Sequence, residues 1–258
     1  MNKIRLIMTG ATGGIGQAIL KKLAPHIEGA IINGLEADIL ENIKKELNLT
    51  QCYCVPGDIN HPNVRETIFN RAQHLSKVNL VINNAGFNKF SLFHDLSDDD
   101  FSDMMHANLI APMHLIKKIL PLLKHDESCQ IINTGSVFGY LGYPGFVSYC
   151  AGKFGLRGFS QALRRELADT NIQVRYFAPR ATKTSFNTSN IDEMNKLLGN
   201  KSDLPEQVAN AFYQFIKQKK WQKILGFKES FFVFINNLLP AIPDKAISKQ
   251  LNIIKRFL

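Results

Sequence analysis

The sequence predicts an α/β fold: a doubly wound parallel sheet in a single domain, followed by a helical C-terminal extension. Three observations carry this prediction. Short apolar runs alternate with longer helix-like stretches up to Phe177, the pattern of βαβ units. A glycine-rich turn, "TGATGGIG" (Thr9–Gly16), joins the first apolar run to the first helical stretch. The length of 258 residues, 45% of them hydrophobic, suffices for one substantial core.

Taken in order, the strand-like runs are Ile4–Met8, Ala30–Ile32, Cys52–Val55, Leu80–Ile82, Ile131–Asn133 and Val174–Phe177. Between them lie helical stretches around Gly14–Leu23, Glu36–Leu47, Pro62–Leu75, Asp98–Leu123 and Tyr149–Ala168. Right-handed crossovers then wind the sheet twice and place ligands at the carboxyl ends of its strands. A late helix starts in "DLPEQVANAF" (Asp203–Phe212), with Asp203 as its cap and Pro205 in its first turn. An edge strand is expected in "WQKILGF". The reading divides the chain into residues 1–225, a dinucleotide-binding and catalytic unit, and 226–258, an amphipathic extension.

Charge is unevenly placed. Residues 211–258 hold nine Lys/Arg against Glu229 and Asp244, so +7 of the net +9 lies there. A basic terminal quarter is not a nucleic-acid footprint, and no nucleic-acid partner is expected. The block Phe231–Ile235 with Leu238-Leu239, broken by Pro240 and Pro243, is too short to span a bilayer of about 20 residues. Beyond it, Ile247, Leu251, Ile254 and Leu258 recur at helical spacing among Lys245, Lys249, Lys255 and Arg256. Such a helix covers the substrate cleft or a subunit interface, lies peripherally on an anionic membrane surface, or is a plain solvated tail. The N-terminus passes from Met1-Asn2-Lys3 straight into the first strand, which predicts no secretory leader. Cys52, Cys54, Cys129 and Cys150 lack a zinc spacing and read as thiols in a reducing cytoplasm, with no metal.

The glycine turn has a chemical reason. Gly10, Gly14 and Gly16 allow a sharp turn, close approach of a pyrophosphate and tight helix–strand packing. The helix start then offers free N–H groups to phosphate. Together with "NNAG" (Asn83–Gly86), Asn108, Ser136 and "YCAGK" (Tyr149–Lys153), this turn resembles the short-chain dehydrogenase/reductase family, in its compact branch. The matches run in family order from residue 9 to about 184, some two-thirds of the chain.

The resemblance implies a Rossmann-like fold and an NAD(P)-dependent oxidoreductase interconverting an alcohol and a carbonyl. Tyr149 becomes the proton donor or acceptor. Its phenol has an ordinary pKa of about 10, and Lys153, one helical turn on, is expected to lower it and to reach the nicotinamide ribose. Ser136, thirteen residues before Tyr149, would hydrogen-bond the substrate oxygen. Asn108 resembles the family's mid-helix Asn, whose side chain and local helix distortion hold a water linking Lys153 to solvent. Cofactor contacts carried over are Thr9, Gly10, Gly14, Ile15, Gly16, Asp58 (adenine), Asn84, Ala85, Gly86, Tyr149, Lys153, Pro179 and Thr184 (carboxamide).

Two positions depart from the pattern. Arg180 replaces the glycine after Pro179, where it could brace the pyrophosphate, pair with an anionic substrate group or point to solvent. Glu36, twenty residues after Gly16, could accept from ribose hydroxyls, and no phosphate clamp is evident, so the reading leans to NAD over NADP. "FNKFSLFHDL" (Phe87–Leu96) and the Phe186 region suggest an apolar or lipid-like small-molecule substrate. The resemblance also implies a homodimer or homotetramer pairing through the two long helices, with Leu156, Phe159 and Leu163 supplying the patch. A non-catalytic dinucleotide sensor or scaffold, and a nucleotide-sugar epimerase or dehydratase, are the competing readings. An intact Asn/Ser/Tyr/Lys set argues against the first; the short chain argues against the second.

Overall fold

Alternate strand residues point to opposite faces of a sheet, and the apolar runs supply both faces at once. Leu6, Met8, Ala30, Ile32, Leu80, Ile82 and Ile132 enter one core, while Ile7, Ile31, Val81 and Ile131 enter the other. Continuous apolar runs of this kind belong to parallel strands covered on both sides. The structure, a computed structural model, describes residues 3–75, 77–123 and 127–258; Met1 and Asn2, at which the N-terminal reading begins, lie outside them.

The strands are β1 (Ile4–Thr9), β2 (Ile27–Gly34), β3 (Cys52–Pro56), β4 (Leu80–Asn83), β5 (Cys129–Thr134), β6 (Ile172–Ala178) and β7 (Gln222–Ile224). All pair in parallel, in the order β3-β2-β1-β4-β5-β6-β7. The order reverses between β1 and β4, so the crevice for ligands opens beside their carboxyl ends. This is the predicted doubly wound sheet. Its edge strand β7 lies inside the stretch expected to form one.

One face is covered by α1 (Gly14–Leu23), α2 (Ala37–Glu46) and α8 (Pro205–Ile216). The other is covered by α3 (Pro62–His74), α5 (Ala111–Ile119) and α6 (Val147–Glu166). The stretch read as one long helix is α4 (Asp98–Met105), a π-turn at His106–Ile110, and then α5. Ser97 caps α4 by accepting from the Asp100 N–H. After β6 come α7 (Ser189–Leu197), α8, β7, α9 (Phe227–Leu238) and α10 (Ala241–Ile254).

Three sequence expectations change. Asp203 does not cap α8: Leu204 holds that position, and its N–H donates to Gln207 Oε1 at 2.8 Å. Leu156 and Leu163 are buried in the core and Phe159 packs against it, so these three do not form a surface patch. Helical spacing cannot separate a face turned to the sheet from one turned to a partner. Pro240 ends the apolar block as expected, but Pro243 sits within the first turn of α10, where its missing N–H costs nothing.

Candidate active site

The cleft at the strand ends has a volume of about 860 Å³. Its floor begins at the glycine turn. Gly10 has φ +64°, and a Cβ there would lie 2.6 Å from the Ala85 nitrogen, so only glycine lets the first turn meet the "NNAG" turn. A Cβ on Gly16 would lie 2.2 Å from the Gly10 carbonyl oxygen, which fits its packing role. Gly13 caps α1 without any side-chain hydrogen bond, and no acid occupies the first turn. The N–H groups there are free for phosphate oxygens, with the positive end of the helix dipole behind them. Thr184 Cγ2 stands where a Cβ on Gly14 would come within 2.6 Å, bringing the loop after β6 over the start of α1.

Most of the predicted residues line this one cleft: Gly10, Gly14, Ile15, Asp58, Asn84, Ala85, Gly86, Ser136, Tyr149, Lys153, Pro179 and Thr184. Thr9, Gly16 and Asn108 stand one layer behind. The Thr9 hydroxyl accepts from the Asn84 and Ala85 N–H groups, at 3.2 Å each, and the Asn84 amide donates to the Gly10 carbonyl at 3.0 Å. Asp58 Oδ1 accepts from the Asn60 N–H at 2.8 Å. This donor and glycine set fits a dinucleotide. Residues 33–36 and 57–60, which line the cleft from the ends of β2 and β3, include Glu36 and Asp58 and no cation.

Ser136, Tyr149 and Lys153 meet at the other end. The Ser136 hydroxyl accepts from the Phe138 N–H at 3.1 Å. Lys153 Nζ donates to the Thr134 carbonyl at 3.1 Å and lies 5.6 Å from the Tyr149 ring centroid. The electrostatics depart from the sequence expectation. Burial pushes the Tyr149 phenol well above its ordinary value, and the hydrogen bond from Ser136 pulls it back only in part. Burial also lowers the Lys153 ammonium to about 8. Desolvation is the leading cause at both groups, and it disfavours the charged form of each.

Asn108 lies in the π-turn, and its amide nitrogen donates to the carbonyls of Phe87 and Met104, at 2.6 and 2.9 Å. Its Oδ1 is buried without a partner. A Cβ on Gly86 would lie 3.0 Å from that oxygen and 3.6 Å from Lys153 Nζ, so glycine leaves a polar gap between the two. A buried acceptor and an ammonium beside such a gap suit a bridging water.

Sequence reasoning missed two supporting side chains. The Tyr176 hydroxyl donates to the Lys153 carbonyl at 3.1 Å and accepts from the Ser136 N–H at 3.4 Å. Its ring fills space left by two glycines: a Cβ on Gly135 or Gly139 would approach it to 1.9 or 2.1 Å. Tyr176 thus ties the loop after β5, which bears Ser136, to the helix bearing Lys153. Arg65, buried behind Asp58, donates to the Ile59 and Asn60 carbonyls at 2.5 and 2.8 Å and holds that turn. The paired glycines in "TGSVFG" hinted at a large neighbour; nothing local marked Arg65.

Arg180 lines the cleft, and it does not simply point to solvent. Its guanidinium grips Asp203 through two bonds, at 3.0 and 2.6 Å, and reaches Glu229 on α9 at 3.2 Å. Asp203, freed from capping, is its main partner. The far wall of the cleft is apolar: Phe138 stacks on Tyr143 at 5.1 Å, Phe146 and Phe186 flank Tyr149, and Ile254 and Phe257 close the cluster from α10 and beyond. Phe232, Ile247 and Gln250 of α9 and α10 also line the cleft, so the extension forms part of its wall.

Known proteins show the same design. The family model described as short chain dehydrogenase matches residues 5–195. Nodulation protein G of Rhizobium sp. (strain N33) is 35% identical over 178 residues, covering 68% of this chain and 71% of that protein. A 3-oxoacyl-[acyl-carrier-protein] reductase of Buchnera aphidicola is 30% identical over 231 residues, covering 88% and 94%. A solved short chain dehydrogenase/reductase from Burkholderia phymatum, in complex with NAD, superposes with a TM-score of 0.82 over 94% of this chain and 95% of its own, at 17% identity. With a reversing parallel sheet, a glycine turn at its switch point and a family match spanning most of the chain, this protein belongs to the short-chain dehydrogenase/reductase family of NAD(P)-dependent oxidoreductases.

Proposed function

We propose that the enzyme reduces a ketone on an apolar, acyl-chain-like substrate, with Tyr149 as proton donor. One observation carries the reading: Ser136, Tyr149 and Lys153 converge on a cleft whose far wall is aromatic and aliphatic. A bound nicotinamide dinucleotide would supply or accept the hydride, held by the glycine turn, Asp58, Asn84–Gly86, Pro179 and Thr184. The proton chemistry belongs to the side chains. Tyr149 Oη gives its proton to the substrate oxygen, while Ser136 Oγ hydrogen-bonds the same oxygen as charge gathers there. Lys153 stabilises the phenolate that results, and its lowered pKa of about 8 lets it return a proton to that oxygen and draw its own replacement in past Asn108.

Glu36 and the absence of a cation among residues 33–36 and 57–60 support NAD over NADP, since a 2′-phosphate would meet only acids there. The similarity to a 3-oxoacyl reductase supports an acyl ketone. Four unpaired thiols, buried or half-buried, suit a reducing cytoplasm. Homo-oligomer formation goes with this reading, as does peripheral membrane contact through the extension.

The test compares wild type with Tyr149→Phe across ketones of increasing chain length, with NADH and NADPH. Loss of a positioned proton donor is expected to lower kcat by at least about 10²–10⁴-fold with dinucleotide binding retained. A variant within a few-fold of wild type refutes the assignment.

A further inference from the structure

The hairpin α9–α10 has two unlike sides. Its inner side buries Val233 and Ile254 and lends Phe232, Ile247 and Gln250 to the cleft. Its outer side exposes Phe227 (87%), Phe231 (58%), Phe234 (57%) and Leu238 (61%). These four recur at i, i+4, i+7 and i+11, which a helix of 3.6 residues per turn gathers into one narrow stripe. Leu239 and Ile242, also exposed, continue the apolar surface around the tip. Soluble surfaces rarely leave so many large apolar side chains together without a partner.

Charge chooses among partners. On α10, Lys245 and Lys249 follow Ile242 by three and seven residues, so cations continue the side on which Ile242 is exposed; both are exposed. Residues 227–258, the hairpin and its tail, carry five Lys/Arg against Glu229 and Asp244, a net +3. A second copy bringing the same face to this one would set like charges against each other, whereas an anionic bilayer offers phosphates to the lysines and an acyl boundary to the phenyl rings. Among the described residues no helix is long and apolar enough to cross a membrane, so the hairpin lies on the surface.

We infer that the outer face of α9 and the α9–α10 tip docks on an anionic membrane surface, with Phe227, Phe231, Phe234 and Leu238 at the headgroup–acyl boundary and Lys245 and Lys249 at lipid phosphates. The docking stands on these side chains and is independent of the catalytic assignment. Only its use, presenting the cleft to a bilayer-borne ketone, rests on the proposed function.

Flotation of the full chain with vesicles tests it, using equal parts phosphatidylglycerol and phosphatidylcholine against phosphatidylcholine alone. Wild type is expected to partition at least tenfold more onto the anionic vesicles. The double variants Phe231→Ser/Phe234→Ser and Lys245→Gln/Lys249→Gln are each expected to lose at least tenfold of that binding, with circular dichroism melting and light-scattering mass unchanged. Three outcomes overturn the inference: no flotation of wild type, flotation indifferent to both doubles, or a fall in mass of the Phe→Ser double, which would make the stripe a subunit contact.

Discussion

Arg180→Gly restores the residue usual for the family and removes the tie between the loop after β6, the start of α8 and α9. The three side chains are only 19%, 14% and 22% exposed, so solvent screens them poorly. Removing the cation takes from the Asp203 and Glu229 carboxylates the guanidinium that donates to both. A hydrogen bond to a charged group contributes about 1.5–3 kcal/mol, and breaking a fully buried pair costs about 3–5 kcal/mol. Partial exposure brings the expectation to about 2–3 kcal/mol, chiefly from the two-point Asp203 grip. For a chain of this size, about 2–4 °C of Tm per kcal/mol gives a drop of roughly 5–10 °C. Thermal unfolding measures it, and limited proteolysis localises it. Cleavage should rise first near Gly226, which holds φ +89° and on which a Cβ would collide with Glu229 Oε2 at 1.8 Å. A double-mutant cycle with Glu229→Gln isolates the α9 arm. A loss below about 0.5 kcal/mol with unchanged proteolysis would refute the reasoning and make Arg180 an ordinary surface residue.

Lys153→Met should be inactive yet as stable as wild type or more so at pH 7, because it removes a buried cation. The folded ammonium titrates near 8 and the unfolded one near 10.4, so the unfolded state binds more protons between these values and wild-type stability rises with pH across that window. Lys153→Met should lack the rise in urea melts. Above about 10 the sign reverses, since burial raises Tyr149 and Tyr176 and their stabilisation is lost as unfolded tyrosines ionise. Tyr176→Phe removes two hydrogen bonds from a filled site, one of them long. It should cost about 1–2 kcal/mol and lower kcat several-fold with KM unchanged, while an effect on Tm alone would limit Tyr176 to packing.

Sheet, helices and most cleft residues were legible because their signals are local. A parallel strand is a run of apolar residues, a phosphate turn needs glycines at set spacings, and Tyr149 and Lys153 share a face by helical geometry alone. Family order then gathered residues as distant as Gly10 and Thr184. What the linear pattern could not reveal depends on partners remote in the chain. Arg180 found Asp203 and Glu229, Tyr176 filled the space over Gly135 and Gly139, and Leu156 turned toward the core. The tyrosine's ionisation went the same way: spacing foretold a neighbouring ammonium, but folding buried both groups, and desolvation depends on everything packed around a site. Periodicity is written along the chain, whereas burial and charge pairing exist only once the chain has closed upon itself.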